Sequence, residues 1–426
     1  MALRDHVTLL TGFPFKSDSY TDQPDGVRLV RGDNVVQGQL RWDNVKRWPR
    51  DRVEEARGYE LRESDVVLAM DRPWIEAGLK YARIGPDDVP SLLVQRVACL
   101  RAKEGLDQSY LFYLIGSQRF TDHVLSIQTG TAVPHISGPQ IQQFEYRPLP
   151  LQNQRAIAAV LGSLDDKIEQ NRRTARALER LARAIFRAWF VDFEPVKAKA
   201  AGAASFPSMP QPVYDALPIN FIDSELGPVP EGWGVGKLGD CCHINQRTVR
   251  SGEIDGEIEY VDISSVTVGR LTGVQRVPFA EAPSRARRRV GHGDTIWSCV
   301  RPNHKSYLFI HSPPERRIVS TGFAVMSPGE FGASFLHEVT TQPEFVHYLV
   351  SNADGSAYPA VRADHFASAT VTRPPKQLRD AFEALTMPLR DLFASAEREA
   401  AQLAEVRDYL LPQLLTGQVP VEVGDA

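Results

Sequence analysis

Leu151–Trp189 reads LQNQRAIAAVLGSLDDKIEQNRRTARALERLARAIFRAW. Positions 157, 161, 164, 168, 171, 175, 178, 182, 185 and 189 step by four and three residues in strict alternation. They carry Ile157, Leu161, Leu164, Ile168, Asn171, Ala175, Leu178, Ala182, Ile185 and Trp189. A 4–3 apolar stripe faces a partner helix along its whole length, so the spacing predicts one long helix with a coiled-coil seam. Asn171 in mid-seam lowers stability and pins register. Pro148 and Pro150 bound the start, and Pro195 marks a place where a helix stops. Forty residues of helix span about 60 Å and cannot bury such a stripe alone.

The chain holds a second copy. Residues 376–416 carry Phe382, Leu389, Phe393, Ala396, Ala400, Leu403, Leu410 and Leu414 on one stripe, interrupted by Arg407. Pro388 is predicted to kink or divide this helix, and Pro412 to limit its far end. Two copies in one chain favour pairing with each other, antiparallel, over a homo-oligomeric coiled coil. The residues expected to make that pairing are Ile157, Leu161, Leu164, Ile168, Asn171, Leu178, Ile185, Phe382, Leu389, Phe393, Leu403 and Leu410.

The helices belong to a larger repeat. Gly130–Pro134 (GTAVP) matches Gly355–Pro359 (GSAYP) at an offset of 225, and that register runs on through Leu164/Leu389, Ile168/Phe393 and Leu178/Leu403. Upstream, Asp65–Pro73 (DVVLAMDRP) faces Asp294–Pro302 (DTIWSCVRP) at an offset of 229. Leu3-Arg4-Asp5 likewise resembles Leu238-Gly239-Asp240. A repeat of this period outweighs any single motif in deciding architecture. The predicted organisation is a first globular block 1–150, a helix 151–195, a linker 196–230 rich in Ala and Pro, a second block 231–375, a helix 376–416 and a tail 417–426. Short β-rich runs broken by Gly, Pro, Asp and Asn, with helical stretches between them, make each block α+β with a mixed or antiparallel sheet.

The 426 residues carry 49 Lys+Arg against 53 Asp+Glu, a net charge of −4, which excludes a chain that binds nucleic acid by being basic throughout. Residues 151–200 hold ten basic and six acidic side chains, and residues 376–426 hold five and nine. Opposite net charges suit two helices that pair. The four cysteines show no paired spacing, the start has no signal-peptide core, and no apolar run is long enough to cross a bilayer. A cytoplasmic location is the expectation. No GxxxxGK[ST] loop, GxSxG elbow or zinc-like Cys/His spacing is present, and no GxGxxG opens a helix after a strand, so no catalytic or metal-ligating residue is assigned. Nothing in the motifs supports a nuclease or methyltransferase in its own right. Duplicated blocks on a rod suit bipartite recognition.

Three stretches carry a family resemblance. Arg147–Val196 contains Leu149-Pro150, Gln154, Leu164-Asp165-Asp166-Lys167-Ile168, Asn171 and Trp189-Phe190-Val191-Asp192-Phe193. Leu226–Trp233 (LGPVPEGW) precedes Leu238-Gly239-Asp240, and Arg407–Val419 reads RDYLLPQLLTGQV. Together they resemble the central helix, the start of the second target-recognition domain and the C-terminal signature of type I restriction-modification specificity subunits. The chain departs in having Asn153 where Glu often stands, and no VPxGW before Leu3. The resemblance implies a non-catalytic subunit that reads double-stranded DNA. It also implies two methyltransferase partners and, optionally, two restriction-translocase partners. Each block would read half of a split target, while the helices would set the gap and dock the methyltransferases. S-adenosylmethionine would be held by the methyltransferase partner and not by this chain. The other class of reading is a coiled-coil adaptor without DNA readout.

Bases are read by Arg, Lys, Asn, Gln, Ser and Thr, and phosphates are held by cations, hydroxyls and backbone amides. In the first block the candidates are Lys16, Ser17, Arg31, Asn34, Arg72, Gln128, Thr129 and Thr131. In the second they are Arg247, the basic run Arg285, Arg287, Arg288 and Arg289, then Arg301, Asn303, His304, Lys305 and Ser356. Arg72 and Arg301 are matched by the repeat, which suggests a shared role; the alternative is an ion pair with Asp65 or Asp294, each seven residues upstream. Trp42, Trp48 and Trp74 read as core or edge packing.

Overall fold

A computed structural model describes residues 1–130, 133–250, 252–355 and 358–421. The chain forms two compact units, Met1–Gln170 with Ala400–Ala426, and Asn171–Glu399. Each contains one globular block and a portion of both long helices.

In the first unit Val66–Ala69 is buried at all four positions, as a continuous apolar run predicts for a strand covered on both faces. It is central in a five-stranded sheet ordered Val7–Thr11, Val97–Ala102, Val66–Ala69, Tyr81–Arg83, Gln37–Gly38. All pairings are antiparallel except the last, which is parallel. Helices Gln108–Ile115 and Gln118–Ile127 start at side-chain caps. Asp107 accepts from the amides of Ser109 and Tyr110, and Ser117 accepts from that of Phe120. Leu111, Ile115, Phe120 and Val124 join Val66, Leu68 and Leu100 in one apolar core. A second sheet, ordered Arg47–Trp48, Val27–Val30, Ser91–Leu93, packs its own small core around Trp48 and Phe15.

The second unit repeats this plan. Its four-stranded sheet is ordered Cys242–Ile244, Phe323–Pro328, Thr295–Ser298, Tyr307–Phe309, all antiparallel. That is the order of the first four strands above, with Thr295–Ser298 standing where Val66–Ala69 stands. A further sheet runs Gln275–Pro278, Glu257–Val261, Arg317–Ser320, Ala286–Arg289. Helices Ala333–Thr341 and Pro343–Ser351 follow the strand Phe323–Pro328, as Gln108–Ile115 and Gln118–Ile127 follow Val97–Ala102. Both blocks are α+β with antiparallel or mixed sheets, so the offset seen in the sequence reflects a duplicated topology.

The first long helix is regular over Leu151–Phe186 and passes into a π-helical turn at Arg187–Val191 that buries Trp189 and Phe190. Phe193 then adopts a left-handed conformation, and Pro195 opens a new short helix, Glu194–Ala200. Proline is tolerated there because the first-turn amide has no helical acceptor. The region 196–230 packs closely. Val213, Tyr214 and Leu217 are buried in the second unit's core, and Phe221–Ile222 pairs with Val229–Pro230. The apolar side chains supply the reason; compositional bias toward Ala and Pro hid them.

The second long helix runs unbroken over Lys376–Thr416, so Pro388 does not divide it. Pro388 and Ala384, whose carbonyl loses its donor, are both exposed, so water can satisfy the orphaned acceptor. Pro412 is also passed, with four further helical residues after it.

Within each unit the two helices pack antiparallel. In the first, Ile157 and Leu161 share a core with Leu410 and Leu414, and Asp165 meets Arg407. In the second, Trp189 lies 6.1 Å from Phe382 by ring centroids, while Leu178 and Ala182 line one cavity with Leu389 and Phe393. Ile168 and Asn171 are buried, and Leu164, Ile185 and Leu403 are half-buried. Asn171 Nδ2 has no hydrogen-bond partner among the described residues. No helix among the described residues is long and apolar enough to cross a membrane.

Candidate nucleic-acid interface

The two matched motifs meet in each block. Arg72 donates its backbone amide to the carbonyl of Pro134 at 2.6 Å, and Arg301 donates its amide to the carbonyl of Pro359 at 2.7 Å. Both arginines are left-handed, at φ 45° and 50°. A non-glycine residue held there costs of order 1–3 kcal/mol and persists only where its surroundings enforce it. The two matched glycines share a left-handed backbone, with φ 92° at Gly130 and 91° at Gly355. Bridges link Asp71 and Thr129 to His135 in the first unit, and Val300 and Asp354 to Ala360 in the second. The loop joining each central strand to the rest of its block is therefore clamped against its glycine loop in the same way twice.

Neither guanidinium pairs with the upstream aspartate. Asp65 is held by Arg101, whose Nε and Nη2 both lie at 2.7 Å, and Asp294 by Arg247 Nη2 at 2.6 Å. Arg72 is exposed and lines a polar cleft with Arg31, Lys80, Arg96 and the carboxylates of Asp33 and Asp71. Arg31 reaches Asp33 at 3.3 Å, and Arg96 lies 3.7 Å from Asp71. Burial lowers the ammonium pKa of Lys80, and the cations Arg41 and Arg72 lower it further against the pull of Asp33 and Asp71. Arg301 instead stacks on the ring of Tyr358, 4.7 Å from its centroid, and Tyr358 is 70% exposed. Asn303, His304 and Lys305 follow on an exposed 3₁₀ turn, with Lys305 also left-handed.

Other candidates have structural tasks. Asn34 is 4% exposed; its Oδ1 accepts from the Arg31 amide and its Nδ2 donates to the Arg41 carbonyl. It fastens a turn. Arg247 anchors the buried Asp294. The basic run is not a continuous cationic face, because strand pleating and local partners divide it. Arg285 pairs with Asp262, Arg289 with Glu253, and Arg287 stacks on Phe279. Arg288 is half-buried, with its pKa lowered by burial. Thr129 exchanges both backbone hydrogen bonds with His135, and Gln128 is the half-buried end of the helix Gln118–Ile127. Lys16 and Ser17 are exposed at a 3₁₀ turn. Thr131 and Ser356 lie outside the described residues.

Three features escaped sequence reasoning. Lys80 and Arg96 enter the cleft from positions with no motif. Tyr358 lies inside GSAYP but corresponds to Val133 in the first copy, so identity matching passed over it. Trp74 is exposed on the hairpin Trp74–Ile75/Gly78–Leu79, whereas Trp48 is core and Trp42 is half-buried with its Nε1 on Asp88.

No family model matches the chain. It is 36% identical over 158 residues to the Type I restriction enzyme EcoAI specificity subunit of Escherichia coli, covering 36% of this chain and 26% of that protein. It is 32% identical over 185 residues to the MjaVIII specificity subunit of Methanocaldococcus jannaschii, covering 43% of each. The matched stretches thus span less than half of these two relatives. The MjaIX specificity subunit of the same organism is 25% identical over 334 residues, 75% of this chain and 71% of that one. The crystal structure of the type I restriction-modification S subunit from M. genitalium shares the fold, with a TM-score of 0.58 at 13% identity over 97% of this chain and 95% of that one.

Proposed function

Because the chain belongs to the specificity subunits of type I restriction-modification systems, we propose that it is the non-catalytic, DNA-reading subunit of such a complex. The observation that carries this reading is the duplicated clamp. Two separate blocks present an arginine from the same strained position against the same glycine loop. A single catalytic centre has no need of a second copy, whereas a target in two halves needs two readers. Each block, within 1–150 and 231–375, would read one half-site. The paired helices would set the gap and dock two methyltransferase subunits, and two restriction-translocase subunits could join. S-adenosylmethionine would sit in the methyltransferase, and the complex would work in the cytoplasm, where its DNA is.

The modest charge of this chain fits a subunit that reads bases while its partners supply much of the phosphate clamp. The test is to purify the chain with its methyltransferase partner and map methylated adenines across a genome. A bipartite motif with a fixed gap is the expected result. A contiguous motif, or no DNA binding with partners supplied, would overturn the reading. Adding residues to both helices in register should change the gap and leave both half-sites as they were.

A further inference from the structure

The repeat places Arg72 and Arg301 in the same backbone position, yet their surroundings differ. Around Arg72 the cleft collects four cations against two carboxylates, on a chain whose net charge is −4. Two of those cations are engaged, Arg31 with Asp33 and Arg96 with Asp71. Lys80 and Arg72 have no side-chain hydrogen bond or ion pair among the described residues. The Lys80 ammonium sits over backbone, since a Cβ added at Gly32 would lie 3.9 Å from Nζ. Its charge is disfavoured by burial and by neighbouring cations, and an anion placed between Lys80 and Arg72 would relieve both. A compact ammonium beside a guanidinium suits a phosphate oxygen, where charge counts more than fork geometry.

Arg301 is set up for the other task. Its guanidinium carbon lies over the Tyr358 ring, and its backbone amide is fixed by the Pro359 carbonyl. A guanidinium already held over a ring loses less freedom when its two parallel N–H groups meet the paired acceptors of a guanine edge. Val133, at the Tyr358 position in the first copy, offers no ring on which Arg72 could be so held.

We propose that the duplicated arginine has divided its labour: Arg72 with Lys80 clamps a backbone phosphate, while Arg301 on Tyr358 reads a guanine in the half-site of the second block. This rests on the DNA-reading function proposed above and assigns chemistry to two of its points of contact.

The test uses the complex of this chain with its methyltransferase partner, scoring both the methylated motif and the salt dependence of binding to a fixed duplex. Arg72→Ala and Lys80→Ala should weaken binding to all sequences alike and leave the motif unchanged. Each should lower the slope of log K against log salt by about 0.9. Arg72→Lys should restore most of the affinity. Arg301→Ala should instead make one G·C position of one half-site tolerant, with about a 10- to 100-fold loss of discrimination there. Arg301→Lys should fail to restore it, since it keeps the charge and loses the fork. Tyr358→Leu should give a weaker version of the same relaxation. Uniform weakening by Arg301→Ala with an intact motif would overturn the inference, as would a changed motif in Arg72→Ala. If the unsubstituted complex methylated no bipartite motif, the parent reading would fall and this inference with it.

Discussion

Arg407 Nη1 lies 2.7 Å from Asp165 Oδ1, joining residues 242 apart in sequence across the paired helices of the first unit. The other oxygen of Asp165 accepts from the Tyr113 hydroxyl at 2.7 Å, so a helix of the globular block is tied into the same contact. Arg407 therefore fills its place on the seam with a polar lock. The corresponding place in the second unit is also polar but chemically different. Arg390 Nη2 lies 2.7 Å from Glu338 Oε1, and its Nε donates to Ser334 Oγ at 2.8 Å. Tyr113 and Glu338 are separated by the repeat offset of 225, as are Asp165 and Arg390. Each block is fastened at the same point to the long helix that follows it.

Arg407→Ala should destabilise the first unit by about 1–3 kcal/mol, because Asp165 keeps its desolvation cost and loses its cation. Urea denaturation of the single variants and of the Asp165→Ala/Arg407→Ala double variant checks this. The double should cost less than the sum, as coupled partners require.

Arg390→Ala should cost more, roughly 3–5 kcal/mol, because it strands a carboxylate in the interior. Glu338 is 2% exposed, and its pKa is already raised by burial against the pull of Arg390 and Arg183. Glu338→Gln added to Arg390→Ala should recover part of the loss in the same denaturation experiment.

Phe382 is fully buried and meets the rings of Phe186, Trp189, Phe190 and Phe335 at centroid distances of 5.7, 6.1, 5.3 and 6.1 Å. Phe382→Ala should destabilise by about 3–5 kcal/mol. It should also release the Trp189 environment, read as a red-shifted tryptophan emission before global unfolding.

His337 gives a pH dependence. Its pKa is held well below the ordinary 6.5, first by burial and then by Arg390 and Arg183. The unfolded chain takes up a proton near 6.5 that the folded chain refuses, so stability should fall as pH drops below that value and be fully present above it. Melting temperature measured between pH 8 and 5.5 should decline on the acid side. His337→Gln should flatten the decline.

Asn34→Ala should cost roughly 1–2 kcal/mol by leaving the Arg31 amide and the Arg41 carbonyl short of partners. The methylated motif should keep its first half-site unchanged. A shifted motif would return Asn34 to the set of base readers.

The duplicated plan was legible from one chain because it rests on local rules. A 4–3 stripe marks a seam helix wherever it occurs, and strands such as Val66–Ala69 announce themselves by composition. The offset between DVVLAMDRP and DTIWSCVRP located the strained arginine in both copies. The individual site was less legible. Asn34, Arg247 and Arg285 have the chemistry of DNA-contacting residues, but that chemistry serves equally to fasten a turn or pair with a buried carboxylate.

By itself, then, the sequence determined two α+β blocks, two seam helices and the backbone positions that repeat between them, since each follows from periodicity or spacing along the chain. Only the tertiary structure decided which partner each charge takes. Arg101, not Arg72, holds Asp65; Arg407 locks the helix pair instead of breaking its stripe; exposed Pro388 is carried within an unbroken helix; and Arg301 lies on Tyr358 while Arg72 faces Lys80. The physical reason is range. Periodicity is set by neighbours three or four residues apart, whereas ion pairs and stacks join residues tens to hundreds apart, and chain closure alone selects among several chemically equivalent partners.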